Sequence, residues 1–211
     1  MYLSRIEINT RRRETMRALS SPHILHGAVE WSFPNNQTTE KRSLWRIDRL
    51  HGAMYLLLLI SEKPDFTHII EQFGWPASEQ KWLTRDYDEF LDHIELEQAW
   101  RFRLCANPVH SVKSDSGQRG KIYGHVTVGQ QKQWLLARSE KNGFILSEDS
   151  FDVVERNIRK FNRGGKLVTL SEAIFEGLLT VTDSELFTSA LRNGIGRAKA
   201  YGCGLITLVK P

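Results

Sequence analysis

Cysteine is scarce in this 211-residue chain: there are two, Cys105 and Cys203, far apart and outside any CxxC pair. That spacing indicates neither a zinc ribbon nor a disulfide framework, and it fits a reducing cytoplasm. Long apolar runs are missing too. The longest, AMYLLLLI at 53–60, is far too short to span a bilayer and reads as a buried strand. The opening MYLSRIEIN has no basic region ahead of an apolar core, so a strand is expected there rather than a signal peptide. No amphipathic basic helix marks a membrane surface, and no membrane partner is expected. His51, His68, His93, His110 and His125 are scattered without ligand spacing to cysteines or carboxylates, so no metal site and no cofactor are expected. A GxSxG elbow is absent. So is the RNP1 string through which four-stranded RNA-recognition folds stack bases.

What is present is uneven charge. Residues 1–100 hold 12 Lys+Arg against 15 Asp+Glu (−3), and residues 101–211 hold 17 against 10 (+7). A positive second half points to an acidic partner, and nucleic acid is the best candidate.

The order of elements repeats. Alternation over 2–9 predicts a strand, Ser21-Pro22 opens a helix, and strands follow near 43–49 and 53–61. A helix at 65–73 is closed by Gly74, and a further strand falls near 80–87. The second half runs through a strand at 99–108, a helix at 131–143, strands near 144–160 and across KLVTLSEAIFEGLLTV, a helix at 183–194 and a closing strand in GLITLVK. Each half reads βαββαβ, so the expected fold is α+β, with two tandem ferredoxin-like (RRM-like) domains at 1–95 and 96–211. Such folds host many unrelated activities, so function must come from sites.

Three stretches carry chemistry. In GIGRAKAYGCGL, Gly194, Gly196, Gly202 and Gly204 surround Arg197 and Lys199. The spacing is neither GxGxxG nor a Walker loop, and it leads from a helix into a strand. It is either a tight connection or a backbone hugging a phosphate chain, and the two cations favour the latter. RNIRKFNRGGK (156–166) holds Arg156, Arg159, Lys160, Arg163 and Lys166 with no acid, around a hairpin turn at Gly164-Gly165. Phe161 near that turn is expected either to stack on a base or to lack a partner. In SSPHILHGAVEWSF, helical spacing places Ile24, Leu25, Ala28, Val29 and Trp31 on the buried arc. His26 then points outward near Glu30, with His23 on the same polar side. An imidazole can both give and take a proton near neutrality, which suits general acid–base work.

MYLSRIEI, RFRLCANP at 101–108, IFEGLLTVTD at 174–183 and GIGRAKAYGCGL, in that order, resemble the CasE family of CRISPR RNA-processing endoribonucleases of the type I-E Cascade complex. The resemblance covers essentially the whole length. It implies tandem ferredoxin-like domains that recognise the hairpin of a CRISPR repeat transcript. It further implies metal-free cleavage at the base of the hairpin's 3′ side, leaving a cyclic phosphate and a 5′-hydroxyl. The product would be retained as a Cascade subunit. The family motif Tyr-x-x-His falls on HILH, placing the catalytic histidine at His26, with His23 where the family has tyrosine. By the same resemblance the 156–166 hairpin grips the stem and the glycine-rich loop lies along its backbone. The implied partners are pre-crRNA, crRNA and the other Cascade subunits, and a monomer is expected in isolation. Two alternatives use the same cations: a subunit that holds the repeat hairpin without cutting it, and a protein-interaction scaffold in a ribonucleoprotein complex.

Overall fold

The structure is a computed structural model that describes residues 1–32, 43–112 and 121–211. The first half runs β1 (Tyr2–Ile8), α1 (Arg13–Ser20), α2 (Pro22–Trp31), β2 (Leu44–Leu50), β3 (Ala53–Ile60), α3 (Thr67–Phe73), β4 (Leu83–Asp86) and the single turn α4 (Asp88–Leu91). Its antiparallel strands pair in the order β2-β3-β1-β4, the ferredoxin-like arrangement. The second half runs β5 (Ala99–Ala106), β6 (Val109–Val112), β7 (Lys121–Gly124), α5 (Val128–Ser139), β8 (Phe144–Ile145), β9 (Phe151–Arg163), β10 (Lys166–Val181), α6 (Ser184–Asn193) and β11 (Ile206–Val209). There the order β11-β5-β10, with β9 and β8 both on β10, repeats the arrangement. The fold is therefore two tandem ferredoxin-like units.

Strand β1 alternates as its sequence predicts: Ser4, Ile6 and Ile8 are buried while Arg5 and Glu7 face water. Strand β3 does not alternate, because both faces of the first sheet are covered. Leu56, Leu58 and Ile60 meet the α1–α3 layer. Leu57 and Leu59, with Leu44, join a core shared with the second unit, built on Phe102, Trp134, Phe175 and Phe187. An unbroken apolar octet is the sequence form of that sandwich.

Two elements depart from the sequence reading. The region before Ser21 forms a separate helix, α1, which buries Thr15 and Ala18 and breaks at Ser21, where Pro22 starts α2. The arginines of this segment (RRRETMR) hide the short buried face. The hairpin β6–β7, inserted between β5 and α5, has strands too short to register as a pattern.

Arg46 pins the two units together. It is 2 % exposed, and all five of its N–H groups are satisfied. Nε and one terminal nitrogen donate to the Asp48 carboxylate at 2.8 and 2.7 Å. The others donate to the carbonyls of Arg103 (2.8 Å) and Leu205 (3.0 Å) and to Thr207 Oγ1 (2.9 Å). Asp48 is also bonded by Arg103, which pairs in turn with Glu176.

Candidate active site and nucleic-acid interface

Helix α2 turns Leu25 and Val29 inward, which leaves His23 and His26 at the surface of the first unit. The His26 side chain is 29 % exposed. Its Nδ1 is sealed from solvent, has no hydrogen-bond partner, and lies 3.8 Å from Glu30 Oε1, inside ion-pair range but beyond a hydrogen bond. Among the described residues no hydrogen bond or ion pair involves Nε2. Trp31, expected on the buried arc, is instead 83 % exposed. It ends the helix, where the described residues of the first unit leave it uncovered.

The second unit comes up against this helix. α2 packs on the 3₁₀ turn Lys199–Tyr201 of the glycine-rich segment. His23 accepts or donates at Nδ1 to Ser21 Oγ (3.1 Å) and stacks on Phe161 of β9, with centroids 6.0 Å apart. Phe161 is 5 % exposed and meets Tyr201 edge-on. Its ring is thus an internal support for α2 and is not available to stack on a base.

The basic hairpin is real, and its turn has positive φ at both Gly164 and Gly165, as a two-residue type I′ loop needs. Strand alternation divides its cations between two faces. Arg159 and Arg163 share the inner face with Phe161, and Lys166 pairs across from Arg163. Arg159 pairs with buried Glu172 at 3.0 Å and donates to the Leu19 carbonyl at the end of α1 (3.3 Å). Arg163 donates to Tyr201 Oη (2.7 Å). On the outer face, Arg156 donates to the Val126 carbonyl (3.1 Å), while Lys160 is exposed and makes no contact among the described residues. Lys166 is likewise exposed and without one.

The four glycines of the last loop all have positive φ. Gly202 and Gly204 are buried, and a Cβ on Gly202 would stand 2.8 Å from the Trp45 ring. A Cβ on Gly194 would meet Leu44 and the Gly204 carbonyl at 2.9 Å, and one on Gly196 would meet Trp134 at 3.0 Å. The backbone freedom thus lets the loop close against the protein's own rings and strands. Lys199 Nζ donates to the Asn193 carbonyl at the end of α6 (2.6 Å), as a cation capping a helix C-terminus does. Arg197 is exposed and makes no contact among the described residues.

A family model described as CRISPR associated protein matches residues 1–210. The chain belongs to that family. Among relatives of this CRISPR associated protein, the "CRISPR-associated endoribonuclease Cse3" of Thermus thermophilus is 27 % identical over 99 % of both chains. The "CRISPR system Cascade subunit CasE" of Escherichia coli is 25 % identical, covering 99 % of this chain and 98 % of its own. A solved structure of Cse3 bound to 19 nt RNA is 26 % identical, with a TM-score of 0.83, covering 99 % of this chain and all of the other.

One cluster of this CRISPR associated protein escapes a linear reading. The two cysteines meet in the fold, and their sulfurs and the Glu172 carboxylate all lie within 4.8 Å of one another, buried. The contact with Cys105 and complete burial hold the Cys203 thiol well above its ordinary range. Burial also raises Glu172, against the pull of Arg159. Sequence separation hid this contact; the backbone bond from Gly204 N to the Cys105 carbonyl (2.6 Å) creates it.

Proposed function

We propose that this chain is a metal-independent endoribonuclease that binds the stem-loop of CRISPR repeat RNA and cleaves precursor transcripts to crRNA, which it retains as a Cascade subunit. The names and whole-length similarity of the relatives support the substrate and the assembly. The carrying observation is the partly exposed imidazole of His26, its Nε2 unbonded among the described residues, on a helix seated against the positively charged unit. No helix among the described residues is long and apolar enough to cross a membrane, and a cytoplasmic role beside the transcript fits the proposal.

RNA supplies its own nucleophile, the 2′-hydroxyl beside each phosphate. The protein has to hold that oxygen in line with the leaving 5′-oxygen and to manage protons and charge. His26 transfers the proton, as base to the 2′-hydroxyl or as acid to the 5′-oxygen, and a cyclic phosphate and a 5′-hydroxyl result. His23, hydrogen-bonded to Ser21 and stacked on Phe161, steadies the helix that carries His26. Lys160, Lys166, Arg156, Arg163 and Arg197 supply cations for the RNA backbone, Arg159 holds the hairpin to α1, and the glycines shape the loop that presents Arg197. The division near residue 95 leaves the acidic unit with the proton-transfer group and the basic unit with the grip.

The test is incubation with repeat RNA of the same locus in excess chelator, followed by end-group analysis. A cyclic phosphate is expected, and a 2′-deoxy nucleotide at the cut should abolish cleavage. His26→Ala should lose about a hundredfold or more in rate with RNA affinity intact. Full-rate cleavage by His26→Ala, or any cleavage of the deoxy substrate, overturns the assignment. Binding without cleavage by the wild type supports the hairpin-holding alternative.

A further inference from the structure

A cavity of about 750 Å³ opens beside the glycine-rich loop, between the β6–β7 hairpin and α5. Its wall contains His110, His125, Trp134, Gln133, Arg138 and Arg197, with Gly196 at the rim, and no carboxylate among the described lining residues. The His110 and His125 rings lie 4.8 Å apart, and Tyr123 stacks on His110 at 6.0 Å. Arg138 lies 4.2 Å over the Trp134 ring. Gln133 is exposed and makes no contact among the described residues. Flat rings, guanidinium groups and a side-chain amide are the means by which proteins hold unpaired nucleotides: rings for the base, arginine for phosphate, amides for the base edge.

The cavity's position joins it to the rest of the interface. Its rim residues Gly196 and Arg197 precede Lys199 by so few residues that at most about 11 Å of chain separates Gly196 from the turn packed on α2. On its other side Arg156 of the basic hairpin bonds the Val126 carbonyl, next to His125, and Ser171 of β10 donates to the His125 carbonyl (3.4 Å). The cavity therefore lies along one continuous surface between the hairpin and the loop beside the His26 helix.

We propose that this cavity is a binding site for one unpaired nucleotide of the RNA, flanking the stem close to the scissile linkage. The proposal rests on the endoribonuclease reading above, and it adds a contact outside the duplex: a base taken from single strand, stacked beside His110, with Arg197 on its phosphate and Gln133 at its edge. Recognition thus extends beyond the shape of the stem to the identity of one flanking base.

The probe is repeat RNA of the same locus with a 2′-deoxy nucleotide at the cut and five unpaired nucleotides on either side of the stem. Each unpaired position is replaced in turn by an abasic unit. One position should cost about tenfold in affinity, the loss expected for one stacked base. Ala137→Trp, at an exposed lining position of α5, should lower the affinity of intact RNA to that of the abasic RNA and leave the abasic RNA unchanged. Gln133→Ala should flatten the base preference at that position, and His110→Ala combined with the abasic unit should lose less than the product of the separate losses. His110→Ala and Gln133→Ala carry the test if Ala137→Trp fails to fold. A flat abasic scan, or Ala137→Trp and abasic losses that simply multiply, overturns the proposal. Adenosine monophosphate bound at micromolar concentration without competing with the RNA would also overturn it. In each of these cases the wild type still binds and cuts the bare stem, whereas failure to bind the stem at all removes the endoribonuclease reading itself.

Discussion

Replacing Arg46 with methionine tests the junction between the two units. Methionine keeps the apolar stem packed but leaves the Arg103 and Leu205 carbonyls and Thr207 without their donor. Removing one member of a buried ion pair costs about 3–5 kcal/mol. Asp48 keeps Arg103 at 3.2 Å and is 16 % exposed, which moves the expected loss to the low end, about 3 kcal/mol. Against an ordinary stability of about 5–15 kcal/mol, the variant stays folded at room temperature with much of its margin gone. Urea unfolding followed by circular dichroism should show a lower midpoint at unchanged slope. Adding Asp48→Leu removes the carboxylate left with Arg103 alone, while Arg103 keeps Glu176, and should restore part of the loss. A change below about 1 kcal/mol, or a double variant no better than the single one, would refute the reasoning.

Gly202→Ala places a methyl group against the buried Trp45 ring at φ +87°. It should cost about 1–2 kcal/mol and lower Tm by several degrees in calorimetry. Lys160→Ala, which removes an exposed outer-face cation, should weaken RNA binding about equally across sequences and reduce the salt slope by about one, read by titration at several ionic strengths. Burial, then His110 and Arg138, holds His125 below its ordinary value of 6.5. The unfolded chain therefore binds that proton more readily, so stability present above about pH 6.5 is lost as pH falls toward the folded value. Thermal melts should show this slope between pH 7.5 and 5.5, and His125→Gln should reduce it.

Much of this arrangement is written in local pattern. The alternation in β1, the helix that begins at Asp183, whose side chain accepts from Leu186 N at 2.9 Å, and the Gly164-Gly165 turn are short-range features, and each element forms where the sequence points. Period-two alternation also contained the split of the hairpin cations, but counting charge alone conceals it. The glycine-rich loop shows the limit. Four glycines announce close approach, yet only the fold says that what approaches is Trp45, Trp134, Leu44 and the loop's own backbone. Likewise α1, made of charged residues over a two-residue buried face, depends on a tertiary partner, the Phe73 carbonyl that accepts from Thr15 Oγ1 at 3.2 Å. The cavity beside His110 combines residues from a hairpin, a helix and a loop, and no single stretch carries its signature.

Of the six tryptophans, Trp31 alone among the described residues stands almost wholly in water, one helical turn and a half beyond His26. Its emission should be red-shifted relative to that of buried Trp45 and Trp134. The unlabelled protein therefore carries its own optical probe at the end of α2: quenching on titration with uncleavable transcript would report RNA arriving beside that helix, without a dye that disturbs it.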